Sequence, residues 1–528
     1  IKFLLNMTTL KKLLFNLMML ASVGVVFIAC EGEDGLDGAD GVDGVDGTDG
    51  VDGQDGEDGE DFTPTAELFA NKSSLEPLVQ MSPAFNFVKP YSLISTSDVI
   101  GETNFQMAGS ADGAGFLKDP NSDGYIYVVN NEDHYAVSRI FLDENLIPVK
   151  GDYLLNSGVA DWARQCSATM WEADIHGGSE DIFLSASESY SYKVKAIDPY
   201  VETPTPTADF GLAALGEFSW ENAVPLPKDA YTGKTVIIGG DDDSSGSEGQ
   251  VVLYYSENGD ADLEGGKVYV LKLKQISDGN GGVIAAEEGQ IYNEGDLDFK
   301  ATYDVEFVEI PDAANLSASE MEDACIEVGA SAFMRVEDVD YQKGSDANGR
   351  NVYFAVTGRG PGAGTYNDWG TVYKLELDAD APLTGKLTQV VSGNTDTNNM
   401  DGNLASLQSP DNICVTENYV YFQEDPNSFN RNHNSYIYQS DLNGDNIEVV
   451  LRLRVDQNLA EDPGVVYNGE FGSLIDISDK IGVDGTFVLA LQPHYWTDDF
   501  FQGLDGHIIS GRENRQGSQV ILLQGLPR

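Results

Sequence analysis

The sequence predicts an all-β fold, a β-propeller of six or seven blades with long loop insertions. Three observations predict it. Helical periodicity is almost absent after Phe62, short β-branched and aromatic runs alternate with Gly/Asp/Asn turns, and a pair of those runs repeats. The runs include Tyr125–Asn130, Lys234–Gly239, Gln250–Tyr255 and Lys267–Lys274. In the repeat, RNVYFAVTG (350–358) and GTVYKLELD (370–378) are followed by NYVYFQED (418–425) and SYIYQSDL (435–442). A hairpin unit of about 65–70 residues suits a propeller blade lengthened by loops. Radial repetition also disposes of the exposed edges that so many strands would otherwise present.

Before the body come two segments of different character. From Met7, Lys11 and Lys12 precede an apolar stretch, Leu13–Ile28, too short for a membrane span of about 20 residues. It ends Phe27-Ile28-Ala29-Cys30, which looks like the lipobox of bacterial lipoproteins, with Cys30 the lipidated residue. Residues 1–29 are thus read as a lipoprotein signal peptide. From Gly32 to Gly59 glycine recurs every third residue, ten times, mostly followed by X-Asp. That is a collagen-like period, but without proline and with Asp crowding the repeat; an extended acidic tether is the plainer reading and tether-driven trimerisation the other. The expected organisation is 1–29 signal peptide, 30–61 lipidated cysteine and tether, and 62–528 propeller. It places a monomer in the bacterial cell envelope, lipid-anchored to the outer membrane and surface-exposed.

Charge excludes one class of partner. The chain has 88 Asp+Glu against 30 Lys+Arg, a net charge of −58, so it lacks the basic surface that nucleic acid requires. Residues 1–29 carry three lysines and no acid, 30–61 fourteen acids and no base, which leaves −47 on 62–528. With 41% hydrophobic residues this is not a disordered acidic chain. Long polar insertions at 199–233 and 276–300 are expected on the surface. One helix is expected, around Ser317–Cys325, where Ser317 and Glu320 can form a capping box.

No nucleophile–histidine order, zinc motif or phosphate loop stands out, so the candidate chemistry rests on carboxylates at strand ends, donors suited to calcium. They lie in VVNNEDH (128–134), FLSASES (183–189), RVEDVDY (335–341), SPDNICV (409–415), Gln423-Glu424-Asp425 and NGEFGSLIDIS (468–478). Each has a bland alternative: Glu132 and Glu188 as solvated acids, Arg335 with Glu337 as a structural ion pair, Asp411-Asn412 as a turn cap, His494 as a core histidine, Cys166 as a small buried residue. Asp119, Asn121 and Asp123 open like a calcium loop but lack the closing Glu, so a β-turn competes with a peripheral calcium site. Asp241-Asp242-Asp243 and Asp441-x-Asn443-x-Asp445 read as surface loops.

In order and spacing these strings resemble the PhoX-type alkaline phosphatases, calcium-dependent exported propeller enzymes. Asn130-Asn131-Glu132, Arg164-Gln165-Cys166-Ser167, Arg335-Val336-Glu337-Asp338, Pro410-Asp411-Asn412, Gly469-Glu470-Phe471 and Gln492-Pro493-His494 carry the likeness. The resemblance implies hydrolysis of small phosphate esters at cations on the propeller axis. Glu132, Glu188, Glu337, Asp411, Glu424 and Glu470 would be metal ligands, with Arg335 as phosphate contact and Glu337 catalytic. Where the family has Cys-Glu-Glu this chain has Ala186-Ser187-Glu188, so calcium is the implied cation and iron is doubtful. The alternative is a propeller that has lost catalysis and serves as a surface binding or structural module.

Overall fold

In the computed structural model, which describes residues 67–528 apart from 161–163, 189–192, 208–209, 244–247, 361–365, 394–403, 405, 426–432, 467 and 509–513, the β-branched runs are antiparallel strands. The signal peptide, Cys30 and the tether lie outside the described residues.

Two strands come first, β1 (Val79–Met81) and β2 (Lys89–Ser95). A four-stranded meander follows: β3 (Ala111–Lys118), β4 (Tyr125–Asn131), β5 (Ala136–Leu142) and β6 (Pro148–Leu155). Next are three strands, β7 (Ala168–Trp171), β8 (Ile182–Ser185) and β9 (Lys195–Ile197). Then come β10 (Val224–Pro225), β11 (Thr235–Gly240), β12 (Val251–Ser256), β13 (Lys267–Leu273), the small hairpin β14 (Gln275–Ser277) and β15 (Val283–Ala285), and β16 (Thr302–Glu309). Helix α1 (Ala318–Val328) carries the expected capping box of Ser317 and Glu320. The chain continues through β17 (Val336–Tyr341), β18 (Asn351–Val356), β19 (Thr371–Leu377) and β20 (Thr384–Ser392). It finishes with β21 (Pro410–Val415), β22 (Tyr419–Glu424), β23 (Tyr436–Asp441), β24 (Glu448–Leu453), β25 (Glu470–Asp476), β26 (Thr486–Gln492) and β27 (Gln519–Gln524).

The architecture is an all-β propeller, but its hydrogen bonding does not yield six or seven separate blades. There are four such sheets: β3–β6, β7–β9, β21–β24 with β1, and β25–β27 with β2. Apart from the β14–β15 hairpin, the rest is one nine-stranded sheet, β10-β11-β12-β13-β16-β20-β19-β18-β17, that nearly closes on itself. The cause is a single edge pairing. β16 and β20, each the outermost strand of its own meander, bond to one another, with Thr302 opposite Thr388 and Tyr303 opposite Leu387.

The first strands of successive meanders pack side by side around an axis: β3 on β7, β7 on β10, β11 on β17, β17 on β21, β21 on β25, and β25 back on β3. The hydrophobic clusters lie in the faces between sheets. Phe116, Tyr127 and Leu522 share one cluster, and Tyr421, Phe487 and Leu489 another. The axis is left to polar residues. Glycines let the inner strands approach there. A Cβ on Gly472 would lie 2.6 Å from the Asp112 Cα, and one on Gly113 would lie 2.0 Å from the Ala168 nitrogen. Because those obstacles are backbone, Gly113→Ala is expected to part β3 from β7 and lower stability by about 1–3 kcal/mol in urea denaturation. An unchanged midpoint would show that the inner strands are not locked together.

The insertion at 199–233 is not the surface segment expected. Leu215, Phe218 and Trp220 are buried in it because they cover β12 and β13, and Glu221 reaches the axis. Asp241–Asp243 are likewise not a surface loop: Asp241 and Asp243 are buried and Asp242 points inward, since the strand preceding them is an inner strand.

Candidate cation-binding site on the propeller axis

Three inner strands start by the same device. Ser110 (φ 48°), Arg335 (φ 71°) and Ser409 (φ 54°) adopt the left-handed conformation immediately before β3, β17 and β21. Non-glycine residues pay steric strain there, and such strain gathers at functional sites. A bulge follows in each strand, between Ala111 and Ala114, Val336 and Val339, Pro410 and Ile413. A bulge adds one residue to a strand and re-aims a side chain. The residue two beyond each strained position is an acid: Asp112, Glu337 and Asp411. Glu470 opens β25, which is bulged between Phe471 and Leu474. Glu221, Asp242, Glu188, Glu132, Asp133 and Asp425 add carboxylates from strand ends and the adjoining turns.

Two guanidinium groups stand among these acids. The Arg335 Nε and Nη2 donate to the Asp242 carboxylate at 2.6 and 2.9 Å, and Nη2 lies 3.1 Å from the Glu337 Oε1. Arg164 binds Glu132, donates to Asp133 at 3.1 Å, and pairs with Glu188 at 2.7 Å. The Cys166 thiol donates to the Glu188 Oε2 at 3.1 Å. The His494 Nε2 is 3.3 Å from Glu470. Around them, inner strands are tied by Asn222 donating to Asp338 (2.5 Å), the Ile413 N–H donating to Asp338 (3.1 Å), and Ser167 bonding Asn412 (3.3 Å).

The electrostatics are those of a site short of positive charge. Burial, then neighbouring carboxylates, push Asp112, Glu221, Glu337, Asp411 and Glu470 well above the usual carboxylate range. Burial raises Glu132 to about 7 against the pull of Arg164, and Asp242 to about 6 against Arg335. Asp133 and Glu188 go the other way, held down by Arg164 despite burial. The Asp112 Oδ1, Ser187 Oγ, Gln423 Oε1 and Gln492 Oε1 are buried without a hydrogen-bond partner. Buried polar atoms are normally satisfied, so this concentration marks a place for water or ions. Among the described residues, Glu221–Asp242–Glu337, Asp425–Glu470–His494 and Asp112–Glu132–Cys166 each bring three ligand atoms within 4.8 Å of one another. The donor sets fit divalent cations, the first being all carboxylate oxygen.

Of the residues singled out in the sequence, Glu132, Glu188, Glu337, Asp411 and Glu470 are thus brought together. Glu424 is not. Its oxygens accept the backbone N–H groups of Gln408 (2.7 Å) and Tyr436 (2.9 Å), which fixes loop and strand; its neighbour Asp425 faces Glu470. The assignment of Arg335 as a phosphate contact also fails, because its Nε–Nη2 edge is occupied by Asp242 and Glu337. Asp119 accepts from the Asn121 N–H and the Ser122 hydroxyl in an exposed turn, and it joins none of the three clusters. Asn131 is structural, donating to the Ala108 carbonyl and accepting from Ser138. Sequence reading missed Asp112, Glu221 and Asp242. The shared pattern of an acid two residues past the start of each hairpin's approach, in Ser110-Ala111-Asp112, Ser219-Trp220-Glu221, Arg335-Val336-Glu337 and Ser409-Pro410-Asp411, could have found two of them.

No protein-family model matches the chain, and no curated protein matches it. Among solved structures it is similar to an α-L-arabinofuranosidase of Fusarium graminearum bound to arabinobiose, with 10% identity, a TM-score of 0.38, and coverage of 82% of this chain and 98% of that one. An α-L-arabinanase of Penicillium chrysogenum matches over the same shares, with 10% identity and a TM-score of 0.37. A β-1,3-galactosidase matches with 9% identity and a TM-score of 0.33, over 81% and 94% of the two chains. These values assign no substrate. They do correct the PhoX resemblance: these three neighbours are glycoside hydrolases, not phosphatases of that type. Phosphate-ester hydrolysis and small phosphate esters as partners are withdrawn with it.

Proposed function

We propose that the axis is a multinuclear divalent-cation centre, with calcium as the principal ion, and that the protein is a hydrolase acting at the mouth of that centre. One observation carries the reading: among the described residues, ten inward carboxylates are matched by two arginines, with unpartnered buried oxygens between them. Charges so buried require pairing or a metal. Glu221, Asp242 and Glu337 would hold one ion, and Asp425, Glu470 and His494 another. When bound, calcium would supply fixed positive charge that polarises a substrate oxygen. The chain's own contribution is positional. Arg164 fixes Glu132, Asp133 and Glu188 relative to one another, and Gln492 orients Glu132 from 2.8 Å.

A specific observation favours glycosides as the bond type. Glu132 is raised to about 7 while Glu188, across the same guanidinium, is lowered. A protonated carboxyl beside an ionised one is the acid–base division that glycosidic cleavage uses. In that division Glu132 would donate to the leaving oxygen and Glu188 would act as base, a role open to Glu132 only while it ligates no metal. The test is calcium titration of the full chain by calorimetry, with turnover of an arabinoside and galactoside panel in calcium and in EDTA. Stoichiometric calcium with EDTA-sensitive turnover supports both halves. Calcium binding without turnover would favour the binding module, and absence of calcium binding would overturn the centre. Glu337→Gln is expected to weaken calcium at least about tenfold. It should stabilise the calcium-free protein, because a neutral group replaces an acid that resists ionisation.

On the finer fold, we read the nine-stranded sheet as two meanders, β11–β16 and β17–β20, fused at their outer edges. The lipidated Cys30, the tether of 30–61 and an outer-membrane, surface-facing location likewise remain our reading of the sequence.

A further inference from the structure

The geometry points to a second kind of metal subsite within the cluster: Asp112, Glu132 and Cys166 form a three-ligand site for a softer divalent cation of the zinc class, separate from the calcium positions. All three residues are buried, and each offers a ligand atom within 4.8 Å of the others. Three elements bring them together. Asp112 sits in the β3 bulge, Glu132 follows the paired strand β4, and Cys166 lies two residues before β7, which packs beside β3. The Cys166 carbonyl accepts from the Asn130 side chain at 2.6 Å, which fixes that segment against β4.

One observation besides the cluster itself indicates a ligand here. The Asp112 Oδ1, on a residue 4% exposed, has no hydrogen-bond partner. The thiol, meanwhile, stands among carboxylates with its proton directed at the Glu188 Oε2. Without a cation the thiol keeps its proton and donates it to Glu188. A bound cation reverses this, since a coordinating thiol loses its proton outright. Binding therefore replaces S–H by S–metal and releases the thiol proton, for which Glu188 is the nearest acceptor, together with any proton carried by Asp112 or Glu132. The ligand type sets the choice of ion. Thiolate selects zinc-class metals, whereas calcium takes oxygen donors, so calcium in excess should not fill this position. Three protein ligands leave a fourth tetrahedral position open, as in hydrolytic zinc sites. Glu132 also binds Arg164 and Gln492 while offering an oxygen within 4.8 Å of the Asp112 and Cys166 ligand atoms.

The experiment is cobalt(II) titration of the full chain, monitored by near-ultraviolet absorption. One equivalent should produce a thiolate-to-cobalt charge-transfer band that zinc abolishes and calcium does not. Cys166→Ser should lose the band and weaken zinc at least about tenfold while calcium binding persists. Should Cys166→Ser not fold, the Cys30→Ser/Cys325→Ser/Cys414→Ser variant assigns the thiol by retaining the band. No band in the wild type, a band displaced by calcium, or a band surviving Cys166→Ser would overturn the proposal. A missing band with intact calcium binding would sink this subsite alone. A band without calcium binding would sink the calcium reading and leave the subsite standing.

Discussion

Arg335→Ala is expected to lower folding stability in EDTA at about pH 7.5 by about 3–5 kcal/mol, among the largest effects of any single substitution in this chain. Arg335 is the cation that offsets Asp242 and Glu337, both nearly inaccessible. Removing it leaves two carboxylates in low dielectric, facing Glu221 and Asp411 as well. Removing one partner of a buried pair costs far more than the pair contributes, because the desolvation of the other is no longer compensated. Relief of the left-handed strain at φ 71° would return a small part of the loss. Excess calcium is expected to recover much of it, since a cation among Glu221, Asp242 and Glu337 replaces the missing charge. Urea denaturation in EDTA and in calcium measures both. A loss below about 1 kcal/mol in EDTA would mean that Arg335 is not the charge that offsets ionised Asp242.

The second large effect concerns pH. Metal-free protein should be more stable at about pH 5.5 than at about pH 8.5, by at least about 3 kcal/mol, the reverse of a protein stabilised by ordinary salt bridges. Asp112, Glu221, Glu337, Asp411 and Glu470 all have folded-state pKa values raised above their unfolded ones. The folded state then binds more protons than the unfolded state. Stability so contributed is fully present below the unfolded carboxylate pKa and is lost as pH rises through the raised folded values. A tenfold difference in proton affinity between the folded and unfolded chain is worth about 1.4 kcal/mol. Glu132 and Asp338, both near 7, place part of that loss near neutrality. Asp133 and Glu188 are lowered, so their contribution disappears only in stronger acid, outside this window. Calcium should invert the slope, because ionised ligands are then favoured. Chemical denaturation at several pH values, in EDTA and in calcium, shows both arms; a flat or rising profile in EDTA would refute the charge imbalance.

The strands were legible because apolar alternation and turn residues are local signals. Lys234–Gly239 and Lys267–Lys274 fall within a residue of β11 and β13, and Ser317 with Glu320 starts the helix as written. Blade count was not legible, since it depends on whether two outer edges far apart in sequence, β16 and β20, pair with each other or with solvent. The site divides in the same way. Glu337 and Asp411 stood out through their own neighbours. Asp112 hid between small residues, and Glu221 and Asp242 sat in polar stretches whose composition suggests surface. Only closure of the ring buries them. Glu424 shows the opposite failure: a strand-end acid of the right kind whose oxygens are taken by two backbone N–H groups. The phosphatase likeness failed because short colinear motifs can be shared by propellers of unlike chemistry.

Chain order around the ring has a temporal consequence. β2, near the start of the described chain, is bonded to β27 at its finish, with Tyr91 opposite Leu522, and β1 closes onto β24. The earliest strands must therefore wait, unpaired, until about 400 further residues have emerged. Glu470, on β25 in the sheet that β2 and β27 complete, meets Asp112 and Glu132 only where β25 packs back on β3, so the full cluster is completed no earlier than that closure. Like-charged groups would then meet in one late, slow step governed by distant contacts. A cation present at that moment would act on the rate of closure as well as on the finished ring.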